Sequence, residues 1–426
     1  MGTQIPLGNV WRETATAAPP SHPLSGDGSA DIVVVGAGFT GLSIALHLAE
    51  KGISTIVLEA GEIGGEASGK SSGQVIRGFK LSPADLAKRF DPEQYERLAR
   101  LSDSLVDDVF DLVERHGIAC NAERKGWIRA AHNEPSYKAL ARTAQDLQRR
   151  NQNVVLLSAG DMERYTGSSY YHGGLLDPDA GALQPLSFVR GLAAAALHKG
   201  ASIFTDTEAT RLERSGDGWN VITPQGKVRC RQVVFATGAE TRPGTYGIET
   251  SFIPVDSCQI ATEPLEAELR RSILPTGTVV SDSRKLTNFF RFDPAGRLIV
   301  GGRGSQADAS TQRALLKAAR DRYPMLGNVG WTHKWSARVD LTLGNLPHLS
   351  NPVEGVWALV GFGGRGIALG AALGRLVAEK LSVASSGDIF PVTPLPRVPF
   401  YGARSILKTA GIAFYKICDQ FGIGQG

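Results

Sequence analysis

Hydrophobic positions near the start of the chain change period twice within 30 residues. Ile32–Val35 is an unbroken β-branched run, which is typical of a strand buried on both faces. A second apolar run, Thr55–Leu58, predicts another such strand. Between them, apolar residues recur at helical spacing, at Leu42, Ala45, Leu46, Leu48 and Ala49. This strand–helix–strand order predicts a parallel, doubly wound sheet.

Later segments divide into helical and β-rich regions. Charged amphipathic patterns predict helices over 84–115 and 134–150, as an insertion covering an active site, and another helix over 188–198. The segment 355–382 predicts a further strand, a glycine loop and a helix. Short apolar runs predict strands at 201–205, 209–213, 219–223, 228–235, 251–263, 278–282, 286–292 and 297–301. We therefore expect an α/β protein, α+β overall, with a discontinuous Rossmann domain (1–80, 150–250 and 340–426). A β-rich substrate domain would occupy 81–149 and 251–339.

Composition excludes several classes of protein. A length of 426 residues, 42% of them hydrophobic, suits a globular chain of about two domains. The net charge of +4 is small and dispersed, which argues against a nucleic-acid partner. The four cysteines are scattered, so we expect no metal site and a reducing compartment, the cytoplasm. The first 30 residues lack the pattern of a signal peptide, and no apolar run is long enough to span a membrane.

The most specific motif is G-x-G-x-x-G, formed by Gly36, Gly38 and Gly41 after the first strand. Gly36 permits a tight turn, Gly38 lets the backbone approach a pyrophosphate, and Gly41 lets the helix pack on the strand. The helix N-terminus offers N–H groups to the phosphates. Glu59 ends the second strand, where its carboxylate can accept hydrogen bonds from a ribose. The spacing predicts a dinucleotide site.

Three further segments favour FAD over NAD. Residues 64–77 (GGEASGKSSGQVIR) are small and would let backbone lie beside a large planar ring, and 233–239 (VVFATGA) is a strand ending at a turn. Residues 361–371 (GFGGRGIALGA) form a glycine loop that leads into a helix. That helix start and Arg365 would stabilise negative charge near N1 and the C2 carbonyl of a reduced flavin.

These residues also carry a resemblance. Segments 36–52, 58–78, 175–196, 262–304, 339–349 and 361–379 are similar to glutathione-reductase-type FAD oxidoreductases of the D-amino-acid oxidase, glycine oxidase and sarcosine oxidase superfamily, and most of all to the γ-glutamylputrescine oxidoreductase family. One departure is Gly-Arg-Gly at 364–366, where relatives often have His or Asn. The resemblance and the motifs together assign cofactor contacts to Gly36, Gly38, Phe39, Thr40, Gly41, Glu59, Ala60, Ala67, Ser68, Ser71, Ser72, Gly73, Gln74, Thr237, Gly238, Gly361, Gly363, Gly364, Arg365, Gly366 and Ile367.

The resemblance implies an FAD-dependent amine oxidoreductase of polyamine catabolism, acting on γ-glutamylputrescine or a related derivative. Its partners would be the small-molecule amine and O2 or another electron acceptor. Arg291, Arg303 and Arg338 are candidates to position a carboxylate of the substrate, because arginine binds carboxylates bidentately. The competing interpretation is that these arginines are structural. No catalytic triad or general base is recognisable.

Three alternatives remain open: oxidation of a small amino acid such as glycine, sarcosine or a D-amino acid, electron transfer to a quinone or protein, and flavin binding without turnover. The flavin should be held non-covalently, because 339–349 contains no cysteine for a thioether. Residues 400–421 carry an apolar stripe with basic flanks, which predicts a helix packed on its own protein or one that contacts a partner or a membrane surface. The stripe comprises Ile406, Leu407, Ala410, Ala413, Phe414, Ile417 and Phe421.

Overall fold

The structure is a computed structural model that describes residues 4–382 and 390–421. The helices are α1 (Trp11–Thr14), α2 (Phe39–Ala49), α3 (Pro83–Ala87), α4 (Pro92–Arg115), α5 (Glu134–Arg149), α6 (Ala159–Thr166), α7 (Pro185–His198), α8 (Ala267–Ser272), α9 (Ala309–Arg322), α10 (Gly366–Ser382) and α11 (Arg404–Phe421). The strands are β1 (Gly28–Ser29), β2 (Ile32–Val35), β3 (Thr55–Leu58), β4 (Gln74–Val75), β5 (Trp127–Ala131), β6 (Val155–Ser158), β7 (Gly173–Asp177), β8 (Gly181–Ala182), β9 (Ser202–Phe204), β10 (Arg211–Ser215), β11 (Gly218–Thr223), β12 (Gly226–Cys230), β13 (Gln232–Phe235), β14 (Ile253–Pro264), β15 (Val279–Asp282), β16 (Phe289–Phe292), β17 (Arg297–Arg303), β18 (Trp331–Leu341), β19 (His348–Val353) and β20 (Val356–Val360).

The predicted Rossmann domain is built on a six-stranded sheet of order β19-β20-β13-β2-β3-β9. All its pairings are parallel except β19 with β20. The strands are apolar because both faces are covered. Ile32, Val34 and Val57 pack in the core shared with α2, α7 and α10, and Val33 packs on the other side against a four-stranded sheet of order β1-β12-β11-β10.

The second domain is organised by an eight-stranded sheet of order β18-β14-β17-β16-β15-β5-β7-β6. Strand β7 pairs with β5, and β6 pairs with β7 at the edge of this sheet. The predicted boundary at residue 150 does not coincide with this sheet, because β6 and β7 (155–158 and 173–177) pair within it. The sequence could not show this, because their apolar pattern suits either sheet and only pairing with β5 decides between them.

Proline occupies the first or second position of all three helices of the insertion, α3, α4 and α5. The predicted helix over 84–115 is interrupted, because α4 starts afresh at Pro92 with Asp91 as its N-cap, and the Asp91 carboxylate accepts the Gln94 N–H at 2.9 Å. Helix α5 follows the prediction closely and ends one residue earlier, at Arg149.

The tail helix α11 contacts the loop between β15 and β16. The Asp419 carboxylate accepts the backbone N–H groups of Lys285 and Leu286, at 2.6 and 3.0 Å. Ile406 and Phe414 of the predicted stripe are largely exposed. The side chains of Leu407, Ala413, Ile417 and Phe421 lie outside the described part of the chain. Within residues 4–382 and 390–421, no helix has both the length and the apolar character that a membrane crossing requires.

Candidate active site

Two cavities lie where the two domains meet. The first, which we call the cofactor cavity, has a volume of about 400 Å³ and begins at the carboxyl ends of β2, β3 and β13. Ligands of doubly wound sheets bind at this edge. The second, which we call the lateral cavity, has a volume of about 710 Å³ and lies under α4, α5 and α11.

The N-terminus of α2 forms one end of the cofactor cavity. Gly36 has a φ of 106°, and a Cβ there would lie 2.9 Å from the Ala236 carbonyl oxygen. The helix has Gly38 as its N-cap, and Ser68 Oγ accepts the Phe39 N–H at 3.0 Å. The other N–H groups of the first turn have no partner within the helix. Free N–H groups at a helix N-terminus are donors of the kind that bind phosphates, so this turn, which we call the N–H cradle, fits the two phosphates of a dinucleotide.

Gly41 does not line the cavity, and its role is packing, as the motif predicts. A Cβ on Gly41 would lie 2.0 Å from the Gly36 carbonyl oxygen and 3.2 Å from a methyl carbon of Val34. The missing side chain therefore lets α2 rest directly on β2 and on the turn between them.

The Glu59 carboxylate stands beside this turn. Its two oxygens accept the N–H groups of Ala37 and Gly61, at 2.7 and 2.9 Å. Burial raises the pKa of Glu59, and the two backbone N–H groups oppose that shift. A carboxylate has about four acceptor positions, so capacity remains for the hydroxyls of a ribose.

The structure brings most of the predicted cofactor residues to one surface. Gly73 and Gly361, like Gly41, are outside the lining; Gly73 packs against Arg291 and Leu183, and Gly361 against Thr342. The predicted residues that line the cofactor cavity are Gly36, Gly38, Phe39, Thr40, Glu59, Ala60, Ala67, Ser68, Ser71, Ser72, Gln74, Thr237, Gly238, Gly363, Gly364, Arg365, Gly366 and Ile367.

The three candidate arginines are separated. Arg291 lies outside both cavities, because its guanidinium donates to the carbonyl oxygens of Ser72, Leu183 and Phe292 and stacks on Trp11. The prediction that Arg291 positions substrate is therefore not retained. Arg338 lies in the wall of the cofactor cavity, half exposed, 3.4 Å from the Glu240 carboxylate. Arg303 lines both cavities.

The two cavities meet at a junction with a positively charged wall. Six residues line both: Lys80, Trp127, Arg129, Thr287, Arg303 and Arg365. Burial lowers the pKa of Arg365 to about 9, yet the guanidinium stays charged at neutral pH. Its Nη1 donates to the carbonyl oxygens of Arg77 and Gly78, at 2.6 and 3.0 Å, and so joins the glycine loop to the small-residue segment.

Asp340 holds the glycine loop in place from β18. The Asp340 carboxylate accepts the Gly361 N–H at 2.6 Å, and its carbonyl oxygen accepts the Gly363 N–H at 3.0 Å. Gly361 has a φ of 91°, a left-handed conformation that favours glycine. Burial raises the pKa of Asp340 to about 6, against the opposing effect of these N–H groups.

This pKa predicts a pH-dependent stability. A carboxyl whose folded pKa lies above its unfolded value contributes stability below about pH 4 that is lost as the pH rises through 6. A shift of about two units corresponds to roughly 3 kcal/mol. The free energy of unfolding of the FAD-loaded Asp340→Asn variant, measured in urea, should therefore rise relative to that of wild type by up to this amount between pH 4 and pH 7. Parallel pH profiles for the two proteins would contradict the assignment.

Sequence reasoning missed Lys80, Arg129 and Asp340. Lys80 directly follows the small-residue segment, which is a local signal that could have been used. Arg129 lies in β5 and has no motif around it. Asp340 is fully buried, and its role depends on a loop that begins 21 residues later.

The donor set fits FAD. Free N–H groups, a carboxylate with spare acceptor positions and a cavity that continues to a cationic end suit pyrophosphate, ribose and flavin ring in that order. Within the described residues, no group of His, Cys, Asp and Glu side chains could hold a metal ion.

Comparison with known proteins agrees with this geometry. Residues 31–380 match the family of FAD dependent oxidoreductases. The chain is 32% identical to a probable oxidoreductase OrdL of Haemophilus influenzae, with 94% of both chains covered. It is 28% identical to the γ-glutamylputrescine oxidoreductase of Escherichia coli, covering 97% of this chain and 99% of that one. Glycine oxidase from Geobacillus kaustophilus has the same fold, with a TM-score of 0.71 and 22% identity over 87% of this chain and 99% of that one.

Proposed function

We propose that this chain, which belongs to the family of FAD-dependent oxidoreductases, oxidises a primary amine (CH–NH2) to an imine that water hydrolyses to an aldehyde and ammonia. The carrying observation is the junction, where a cofactor cavity meets a large second cavity. The relative that acts on γ-glutamylputrescine supports that compound, or a related polyamine derivative, as the first substrate to test.

FAD supplies an acceptor for two electrons and a proton from the amine carbon, and we propose that O2 then accepts the electrons to give H2O2. The protein's own contribution is positioning. The α2 N-terminus and Glu59 fix the dinucleotide, the loop held by Asp340 fixes the ring end, and Arg303 lies where a carboxylate of the substrate would be held.

The cations at the junction also act on the substrate's amine. Only the free amine, with its lone pair, readily loses hydride from the adjacent carbon, so the ammonium form must first lose a proton. The junction carries Lys80, Arg129, Arg303 and Arg365, so it stays positive when substrate carboxylates neutralise part of this charge. Like charges disfavour the charged form, so the remaining positive charge lowers the pKa of the bound ammonium and favours the reactive free amine.

Cavity size favours a longer amine over the smallest amino acids. A volume of about 710 Å³ is typical of sites for extended ligands and far exceeds what glycine or sarcosine would fill. We rank oxidation of a small amino acid second.

We further propose that FAD is bound non-covalently and that the protein works in the reducing cytoplasm. All four cysteines are free and buried, and none of them lines the described cofactor cavity, so no thiol is in place for a thioether. Acid precipitation should therefore release FAD into the supernatant. Yellow colour retained in the pellet would contradict non-covalent binding.

Anaerobic titration tests the reaction. The purified protein should be yellow and should bleach when γ-glutamylputrescine is added without O2, and admission of air should restore the colour and yield H2O2. Bleaching by sarcosine, glycine or D-alanine, with no response to γ-glutamylated amines, would reverse the ranking. Slow reoxidation by O2 but rapid reoxidation by a quinone would identify a dehydrogenase. Bound FAD that no amine bleaches would refute the proposed function.

A further inference from the structure

The junction concentrates positive charge without matching carboxylates. Lys80, Arg129, Arg303 and Arg365 come from four different segments and line both cavities. In the described part of the chain, no carboxylate oxygen lies within 4.0 Å of a side-chain nitrogen of any of these four residues, so none of them forms an ion pair there. Asp282 is the acid that influences Arg129, but it is already shared by two other arginines, at 2.5 and 2.9 Å.

Two other cations of the lateral cavity, Arg77 and Arg150, are neutralised by carboxylates, whereas Lys285 is exposed and has no ion pair among the described residues. Arg77 Nε is 2.9 Å from the Asp177 carboxylate. Arg150 is held by Glu96 and Asp103, at 2.9 and 2.8 Å. The fold thus pairs both of these arginines away from the junction, whereas the cations at the junction stay available to a ligand.

Bound FAD would neutralise part of the unpaired positive charge at the junction. Arg365 belongs to the glycine loop and bonds to the backbone of segment 77–78, so we assign its charge to the flavin end. The lateral cavity is not lined by the α2 N-terminus or by Glu59, so it does not reach the phosphate cradle. Lys80, Arg129 and Arg303 remain without a negative charge.

We propose that the substrate carries two carboxylates, which Lys80, Arg129 and Arg303 bind at the junction. This inference rests on the proposed function and favours, within its substrate class, primary amines with two carboxylates. γ-Glutamylputrescine has one carboxylate and two amines, so it would neutralise only part of this charge and should be the weaker substrate. A γ-glutamyl conjugate of an amine that carries a second carboxylate complements the wall better.

Charge and solvation support this choice. Cations enclosed by protein are costly until an anion neutralises them, and each arginine can hold one carboxylate through two parallel hydrogen bonds. Lys80 reaches the open cavity yet is enclosed by surrounding protein, and this burial, with the nearby Arg303, Arg365, Arg129 and Lys285, lowers its pKa. A bound carboxylate would offset that effect. Two carboxylates spread over a lysine and two arginines leave room in the cavity for a carbon chain.

Equilibrium binding to the FAD-loaded protein tests the inference without any turnover. Succinate and glutarate should perturb the flavin absorbance and bind at least tenfold more tightly than butyrate at constant ionic strength. Arg129→Gln and Arg303→Gln should each weaken diacid binding about tenfold or more and remove the preference, with FAD content unchanged. Lys80→Gln should act in the same direction. Arg150→Gln is the matched control, because its guanidinium is already paired in the same cavity, and it should retain the preference.

Each other outcome overturns the inference. Equal affinity for diacid and monoacid would show that the site does not bind a second carboxylate. Inorganic phosphate binding as tightly as the diacid would indicate a site for a single dianionic group. If a glutamine variant fails to fold, Lys80→Arg and Arg129→Lys keep the charge and should retain most of the preference; its loss would refute a charge-based site. Selective diacid binding with no bleaching amine would refute the proposed function alone, whereas bleaching without diacid selectivity would refute this inference alone.

Discussion

Replacing Gly41 with alanine is expected to leave the protein largely insoluble and without FAD. The new Cβ would lie 2.0 Å from the Gly36 carbonyl oxygen, which is backbone and cannot rotate away. Helix α2 would have to move off β2, and with it the N–H cradle for the phosphates. Overpacking of this kind costs about 3 kcal/mol or more. The yield of soluble protein and the ratio of FAD to protein measure the effect.

Gly160→Ala is the matched control for that substitution. Its Cβ would lie 4.0 Å from Ser158 Oγ, within helix α6, where alanine is the better helix former. This variant should keep its FAD and be as stable as wild type or up to about 1 kcal/mol more stable. A Gly41→Ala protein that purifies with a full complement of FAD would show that the contact between α2 and the turn can relax.

Glu59→Ala is expected to weaken FAD binding by roughly 10- to 150-fold. Losing one charge-assisted hydrogen bond to the ribose costs about 1.5–3 kcal/mol. The same change leaves the N–H groups of Ala37 and Gly61 without their acceptor, so the turn that shapes the cradle also loses support. Titration of the FAD-free protein with FAD, followed by flavin fluorescence, gives the dissociation constant.

Glu62→Ala is the control that tests whether loss of any nearby carboxylate weakens FAD binding. Glu62 is close in sequence but pairs with Arg12 at the surface and does not line the cofactor cavity. Its loss should leave the dissociation constant within about twofold, since exposed ion pairs contribute little. An unchanged dissociation constant for Glu59→Ala would mean that Glu59 supports the turn and does not bind the ribose.

Arg291 of β16 and Arg303 of β17 are both candidates from the sequence, and only the tertiary structure separates their positions. Arg291 faces Ile299 across the ladder, and Phe289 faces Gly301, so Arg291 and Arg303 share one face of the sheet, as their spacing allows. Their positions along that face differ by four residues, about 13 Å. Arg303 therefore reaches the junction, whereas Arg291 is placed under Trp11 and among backbone carbonyls.

The sequence by itself determined the βαβ unit and predicted that this unit binds a dinucleotide. Strand, glycine turn, helix and Glu59 lie within 30 residues, so their contacts follow from local periodicity and from the space that glycine leaves. Only the tertiary structure decided which sheet contains β6 and β7 and which cations meet at the junction. Lys80, Arg129, Arg303 and Arg365 are separated by tens of residues or more, and they meet because β5 and β17 belong to one sheet and the glycine loop lies against it. Pairing between strands that are distant in sequence produces no hydrophobic pattern around any of these four residues, so the sequence alone does not predict that they meet.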